Sequence, residues 1–150
     1  MNKHFLPVYL LLPSLAVSYY LGYTPLVIPT LFIVASLWSY FIYAMDKSAA
    51  KNGGWRISEN TLHISALVFG WPGAIIAQQR LRHKTKKTSF RIVFWLTFIL
   101  NVGALTWIHT GEGSRMLRAS TYNIEYFLVE KVGSNHAVSL FLYLTKFRKV

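Results

Sequence analysis

Asp46, Lys47, Arg56, Glu59 and His63 stand close together near the middle of the chain, and Trp71 and His83 follow them. Carboxylates beside an imidazole can move protons, and a guanidinium nearby can hold an anion. Together these side chains could form the polar side of a pocket for an amphipathic or lipid substrate. Their plainer use is to pair with one another and fix a loop. His63 and His83 have the right ring for a metal, yet no Asp, Glu or Cys completes a ligand set at a recognisable spacing. No metal and no cofactor is therefore expected. The sequence has no nucleophile elbow, Walker loop or glycine-rich dinucleotide fingerprint, so it assigns no catalytic residue. A membrane enzyme or transporter stays open as one reading.

A second reading starts from charge. The run Arg80-Leu81-Arg82-His83-Lys84-Thr85-Lys86-Lys87 is the densest cationic stretch in a chain of net charge +11. Near a membrane each such cation is attracted to anionic lipid by about 1 kcal/mol. On this reading the protein is a non-enzymatic membrane module, and Arg80, Arg82, His83, Lys84, Lys86 and Lys87 engage anionic head groups or a partner. Nucleic acid is the weaker alternative, because only Phe90 lies close enough to supply a stacking ring.

The elements that must position these residues are written in the apolar runs. Hydrophobic residues make up 53% of the chain and charged ones 14%, against about 25% charged in a soluble domain. No Lys, Arg, Asp or Glu occurs between His4 and Met45 or between Ile92 and Gly111. A helix rises about 1.5 Å per residue and needs about 20 residues to cross about 30 Å of hydrocarbon, so these runs predict an integral membrane protein. Spans are expected over residues 5–20, 26–45 and 92–108, with a tight turn at Gly22-Tyr23-Thr24-Pro25. The first run also has a weak small-residue cleavage match at Ala16-Val17-Ser18, but it continues beyond that point and is expected to stay as a span. In the polar loop over residues 46–60, Ser58 suits an N-cap, with Glu59 in the first helical turn. Asn101 lies inside the last span, where an amide is expected to bond across helices. The tail, residues 109–150, fits two short helices lying on the bilayer surface better than strands. The chain has no cysteine, which excludes disulfides and thiolate metal sites.

Between these spans, the apolar stretch over residues 62–77 is short and broken by Gly70-Trp71-Pro72-Gly73. It either crosses as a kinked fourth span or re-enters as a hairpin. Lys and Arg near span ends favour the cytoplasm. If the stretch re-enters, Lys3, Lys47, Lys51, Arg56, Arg80, Arg82, Lys84, Lys86, Lys87 and Arg91 share one side, with Arg115 and Arg118 facing them. If it crosses, the six from Arg80 to Arg91 move to the outer side and the near counts become equal. Charge therefore favours re-entry. The expected fold is an all-α bundle of three full transmembrane helices plus a short broken fourth span or re-entrant hairpin. It would sit in a membrane with the basic loop in the cytoplasm. Residues 1–45 form an N-terminal transmembrane hairpin, 46–108 a core, and 109–150 a polar, amphipathic tail.

The core resembles the bacterial membrane family known as domain of unknown function 1294. The resemblance is carried by Asp46-Lys47 with Ala49-Ala50, by Arg56-Ile57-Ser58-Glu59 with Leu62, and by Gly70-Trp71-Pro72-Gly73-Ala74. Arg82-His83-Lys84-Thr85-Lys86, Phe90 and Phe94-Trp95 complete it. The family usually has Pro where Ser58 stands and often Gly where Phe69 stands. Some relatives carry a cold-shock domain ahead of the membrane part, which implies a nucleic-acid connection; here an apolar span takes that place. The resemblance implies no activity.

Overall fold

A computed structural model describes residues 3–82 and 87–148. Every regular element among them is helical: α1 (Leu6–Tyr20), α2 (Val27–Asn52), α3 (Glu59–Ser65), α4 (Trp71–Leu81), α5 (Thr88–Trp107), α6 (Gly111–Val132) and α7 (His136–Thr145). Lys3–Phe5 forms a 3-10 turn and Ala66–Gly70 a π-type turn. Three stretches are long and apolar enough to cross a bilayer: Val27–Asn52 at 26 residues, Glu59–Leu81 at 23 and Thr88–Trp107 at 20. α1 has 15 residues and spans about 22 Å, less than the hydrocarbon core. α2 and α5 leave Val34, Leu37, Phe41, Ile92, Leu96 and Ile99 exposed, the pattern of helices whose outer faces meet lipid. The chain divides into two compact units, residues 1–12 with 31–102 and residues 13–30 with 103–150.

In the first unit, α3 begins as the sequence implies. The Ser58 side chain accepts from the Thr61 amide at 3.1 Å, and Glu59 occupies the first turn. The Ser58 φ of −63° is also one that proline adopts, so the family's usual residue fits the same backbone. From there α3 runs back along α2: Ile57 bonds to Asp46, and Ser65 Oγ meets Ser39 Oγ at 3.1 Å. The chain then reverses. Trp71 packs edge-on to Phe32, Gly73 lies on the backbone of Ser36, and Gln78 is beside Tyr43. α4 therefore runs the opposite way to α3 along the same stretch of α2, and Lys87 beyond it reaches Glu59 at the start of α3 at 2.7 Å.

The break is not where the proline stands. Pro72 lies in the first turn of α4, where its missing N–H removes a donor that has no intrahelical acceptor. The helical path is lost at Val68 (φ −86°, ψ 65°) and Phe69 (φ 61°, ψ 0°). Phe69 is thus in the left-handed region that glycine enters freely, held there by edge contact with Phe32 at 5.0 Å between ring centroids. A carbonyl released by the break finds a partner from α5: the Asn101 amide donates to Leu67 O at 2.9 Å and to Thr97 O at 2.9 Å. This is the cross-helix bond expected of Asn101.

The second unit contains the tail, which forms two helices as expected, but the first, at 22 residues, is not the short helix anticipated. Thr110 caps α6 by accepting from the Gly113 amide at 3.1 Å, and Asn135 caps α7 by accepting from Val138 at 2.9 Å. Thr145 donates to Glu125 and ties α7 to α6. His109 Nδ1 faces the Leu105 carbonyl at 2.6 Å and so must donate to it. Its Nε2 then accepts from Ser18 at 2.7 Å, and Ser18 in turn accepts from Thr24 at 2.8 Å.

Two outcomes follow from the turn. A Cβ added at Gly73 would sit 1.8 Å from Ser36 O and 2.5 Å from its carbonyl carbon, and rigid backbone cannot yield as a side chain can. Gly73→Ala should therefore destabilise by about 2–3 kcal/mol, the upper range for overpacking, seen as a lower Tm in detergent. At Phe69, substitution by Gly relieves about 1–2 kcal/mol of left-handed strain but loses an aromatic contact of about 0.5–1.5 kcal/mol. Phe69→Gly should accordingly stay within about 1 kcal/mol of the parent, while β-branched Phe69→Val should lose both the contact and the backbone geometry.

Candidate functional site

The polar residues singled out in the sequence gather at the end of the first unit where α2 ends, α3 begins and α5 starts. Asp46, in the last part of α2, is fully buried. Its Oδ1 accepts from Arg56 Nε and from the Ile57 amide, and its Oδ2 from Arg56 Nη2, all at 3.2 Å. The planar fork matches the carboxylate, and the backbone donor adds a third bond to one buried group. Hydrogen bonding to Asp46 raises the Arg56 guanidinium above its ordinary pKa, so it stays charged. Arg56 itself is exposed, and the anchoring is therefore one-sided: the carboxylate is rooted in the bundle, and the loop over residues 53–58 is held to it.

Glu59 pairs with Lys87 at 2.7 Å, with both side chains partly in solvent. Such a pair adds about 0.2–1 kcal/mol, so it marks the hairpin geometry more than it stabilises it. His63 stacks against Phe90 at 4.3 Å between ring centroids, and Phe90 also meets Tyr43 edge-on at 6.2 Å. Lys47 is half-buried on α2 next to Asp46. Trp71 stands apart from this group, packed edge-on to Phe32 at 6.4 Å and to Phe98 at 4.8 Å near the turn. Asp46 and Arg56 are thus brought together, as are Glu59 and Lys87, while Trp71 is not part of the same cluster.

Of the basic run, Arg80 and Arg82 are exposed at the end of α4 and Lys87 is exposed before α5. Arg82 closes α4 in the left-handed conformation (φ 47°), its amide donating to Gln78 O. His83, Lys84 and Lys86 lie outside the described residues. Among the described residues no group of three or more His, Cys, Asp or Glu could hold a metal.

Sequence reasoning missed a second polar layer. Tyr43 is fully buried one turn before Asp46 on α2, and Gln78 is buried beside it on α4. The Tyr43 hydroxyl and the Gln78 amide nitrogen have no hydrogen-bond partner. Spacing alone gave a signal for Tyr43, since Ser39, Tyr43 and Asp46 fall on one helical face. Nothing in the sequence marked Gln78, which reaches that face only because the chain reverses.

Asp46→Ala should free the Ile57 amide and the Arg56 fork together. The expected cost is about 2–3 kcal/mol, the range for hydrogen bonds to a charged group. Limited proteolysis at Gly53-Gly54 should quicken several-fold. Arg56→Lys should recover only part of the protection, because an ammonium cannot reproduce the two-pronged contact.

Comparison with known proteins adds identity without activity. A family profile described as "Protein of unknown function (DUF1294)" matches residues 36–90. A Bacillus subtilis (strain 168) protein, "Uncharacterized protein YsdA", is 36% identical over 66 residues, covering 44% of this chain and 74% of the relative. No solved structure matches. The matched stretch runs from the α2 face that receives Gly73, through the Asp46–Arg56 clamp and the broken hairpin, to Phe90, and on that ground the chain belongs to the DUF1294 family.

Proposed function

We propose that this protein is a multi-pass module of the bacterial inner membrane in which α3 and α4 form a re-entrant hairpin. The hairpin delivers a basic loop to the cytoplasmic head groups, and Arg80, Arg82, His83, Lys84, Lys86 and Lys87 engage anionic lipid there. The observation that carries this reading is the chain reversal along α2, with Lys87 returned to Glu59. From Glu59 to the break at Leu67 is about 12 Å of helix, and from Asp46 to Ser36 about 15 Å, so the turn lies near half of the about 30 Å hydrocarbon depth. α2 and α5 continue past that level. Non-helical backbone there is acceptable because Asn101 of α5 takes the Leu67 carbonyl and the turn lies on the backbone of α2, although the Val68 side chain is exposed.

Several features fit a surface of this kind. Arg56, Arg80, Arg82 and Lys87 share one end of the unit and are all exposed. Trp55, in the loop fixed by Asp46, is 97% exposed, and an indole so placed suits the interfacial belt beside cationic residues.

Two measurements test this. Because the parent chain has no cysteine, single cysteines at Asn52 and Lys87 report alone. Both should react with a membrane-impermeant maleimide only when the cytoplasmic face is opened, and opposite accessibility would end the hairpin reading. In nanodiscs of mixed phosphatidylglycerol and phosphatidylcholine, the parent should enrich phosphatidylglycerol around itself. Replacing the six basic-loop residues by Gln should return the composition to bulk, as about 1 kcal/mol per cation implies.

A further inference from the structure

A cavity of about 470 Å³ in the first unit is lined by His4, Gln78, Gln79, Arg91, Phe94 and Trp95, among others. It lies between the start of the chain, α4 and the first turns of α5, and it includes none of the residues of the Asp46 clamp. Its polar lining is unspent. Among the described residues, the side chains of Arg91, His4 and Gln79 make no hydrogen bond or ion pair. Gln78 is 94% buried by its 6% exposure, and its amide nitrogen has no acceptor. A half-turn of that amide would give the neighbouring Tyr43 hydroxyl an oxygen to donate to and leave the NH₂ group on the opposite edge of a side chain that lines the cavity. Arg91 is also misplaced for stability alone. It sits in the first turn of α5, where the helix dipole favours an anion over a cation. The donors of Arg91, Gln78 and Gln79 therefore surround a space lined by no carboxylate.

Beside this cavity, along the seam of α1 and α4, runs an apolar groove of about 320 Å³. Val8 and Leu11 continue the α1 face begun by His4 and Pro7, and Pro72, Gly73 and Ile76 precede Gln78 and Gln79 on α4. The far wall comes from α2, with Phe32 and Leu37. Both volumes are within the range of sites that hold small ligands.

We infer that this seam binds one phospholipid with an anionic phosphate head, the phosphate on Arg91, Gln78 and Gln79 and an acyl chain in the groove. The two oxygens of a carboxylate lie in one plane, whereas the oxygens of a phosphodiester are set tetrahedrally about phosphorus and can meet donors converging from two helices. The inference rests on the membrane reading above but uses different residues from the basic loop.

Native mass spectrometry of the full chain in detergent, titrated with phosphatidylglycerol, tests it. The parent should retain one lipid per chain. Arg91→Gln should weaken retention at least tenfold, and Leu37→Trp, at an exposed position lining the groove, should weaken it comparably without touching the head site. Circular dichroism would confirm that both variants keep their helices. Replacing the six basic-loop residues by Gln should leave the single lipid bound, so loss of surface enrichment and loss of this site are separate results. Phosphatidylcholine binding as tightly as phosphatidylglycerol, retention unchanged in both variants, or displacement of the lipid by millimolar inorganic phosphate would each overturn the proposal.

Discussion

Gly70 and Gly73 let the backbone of the turn and of α4 touch the backbone of α2, and the rest of the first unit depends on that approach. Added β-carbons would lie 2.9 Å from Ala35 O at Gly70 and 1.8 Å from Ser36 O at Gly73. Apart from the Ser39 Cβ beside Gly70, the nearest atoms are backbone, and Ala35, Ser36 and Ser39 are themselves small. Between apolar helices of this kind, close van der Waals contact of backbone on backbone is a main source of attraction. It holds α4 parallel to α2 and leaves α3 room on the same helix, with Ser65 reaching Ser39. Move α4 outward by the width of a methyl group and Trp71 loses its place against Phe32 and Phe98.

The second constraint acts at the other end of the hairpin. Asp46 is a buried carboxylate at the exit of α2, and a charge so placed is tolerated only when it is fully bonded. Its bonds come from Arg56 and Ile57, which fixes where the loop must return and hence where α3 must begin. Between the clamp at Asp46 and the contact at Ser36, α3 has room for about two turns before it meets the level of the glycines. The broken geometry at Val68 and Phe69 is the consequence of fitting a descending and an ascending arm into that interval.

Much of this was legible in residue types. Charge-free runs marked the long helices because the hydrocarbon core tolerates few ions, and Ser58 and Asn101 announced their bonds because a cap or an isolated amide has few alternatives. The location of the break was not legible. Proline draws attention as a helix breaker, yet Pro72 starts a helix, and the strained residue is a phenylalanine whose type gives no hint of a positive φ. The resemblance to a family that often carries glycine there was the better signal. Gln78 and Arg91 were opaque for a different reason. Their significance depends on which residues α4 and α5 bring near them, and that is set by the reversal rather than by spacing along the chain.

The Gly-Trp-Pro-Gly turn also has to solve a hydrogen-bonding problem that a continuous span never meets. A helix that starts inside the unit begins with amides that have no intrahelical acceptor. Pro72 removes one of those donors outright, and the two glycines let the buried start of the helix lie against the backbone of α2. On the other arm, the Leu67 carbonyl set free by the break is taken by Asn101 from α5, and the Leu62 carbonyl is shared with the Ser65 hydroxyl. The residues that break the helix and those that absorb the break are therefore drawn from three helices. A single substitution at the turn is felt in all of them; the turn itself and Ser36 and Ser39 of its receiving face fall inside the family match at residues 36–90, while Phe32, Ala35 and Asn101 lie outside it.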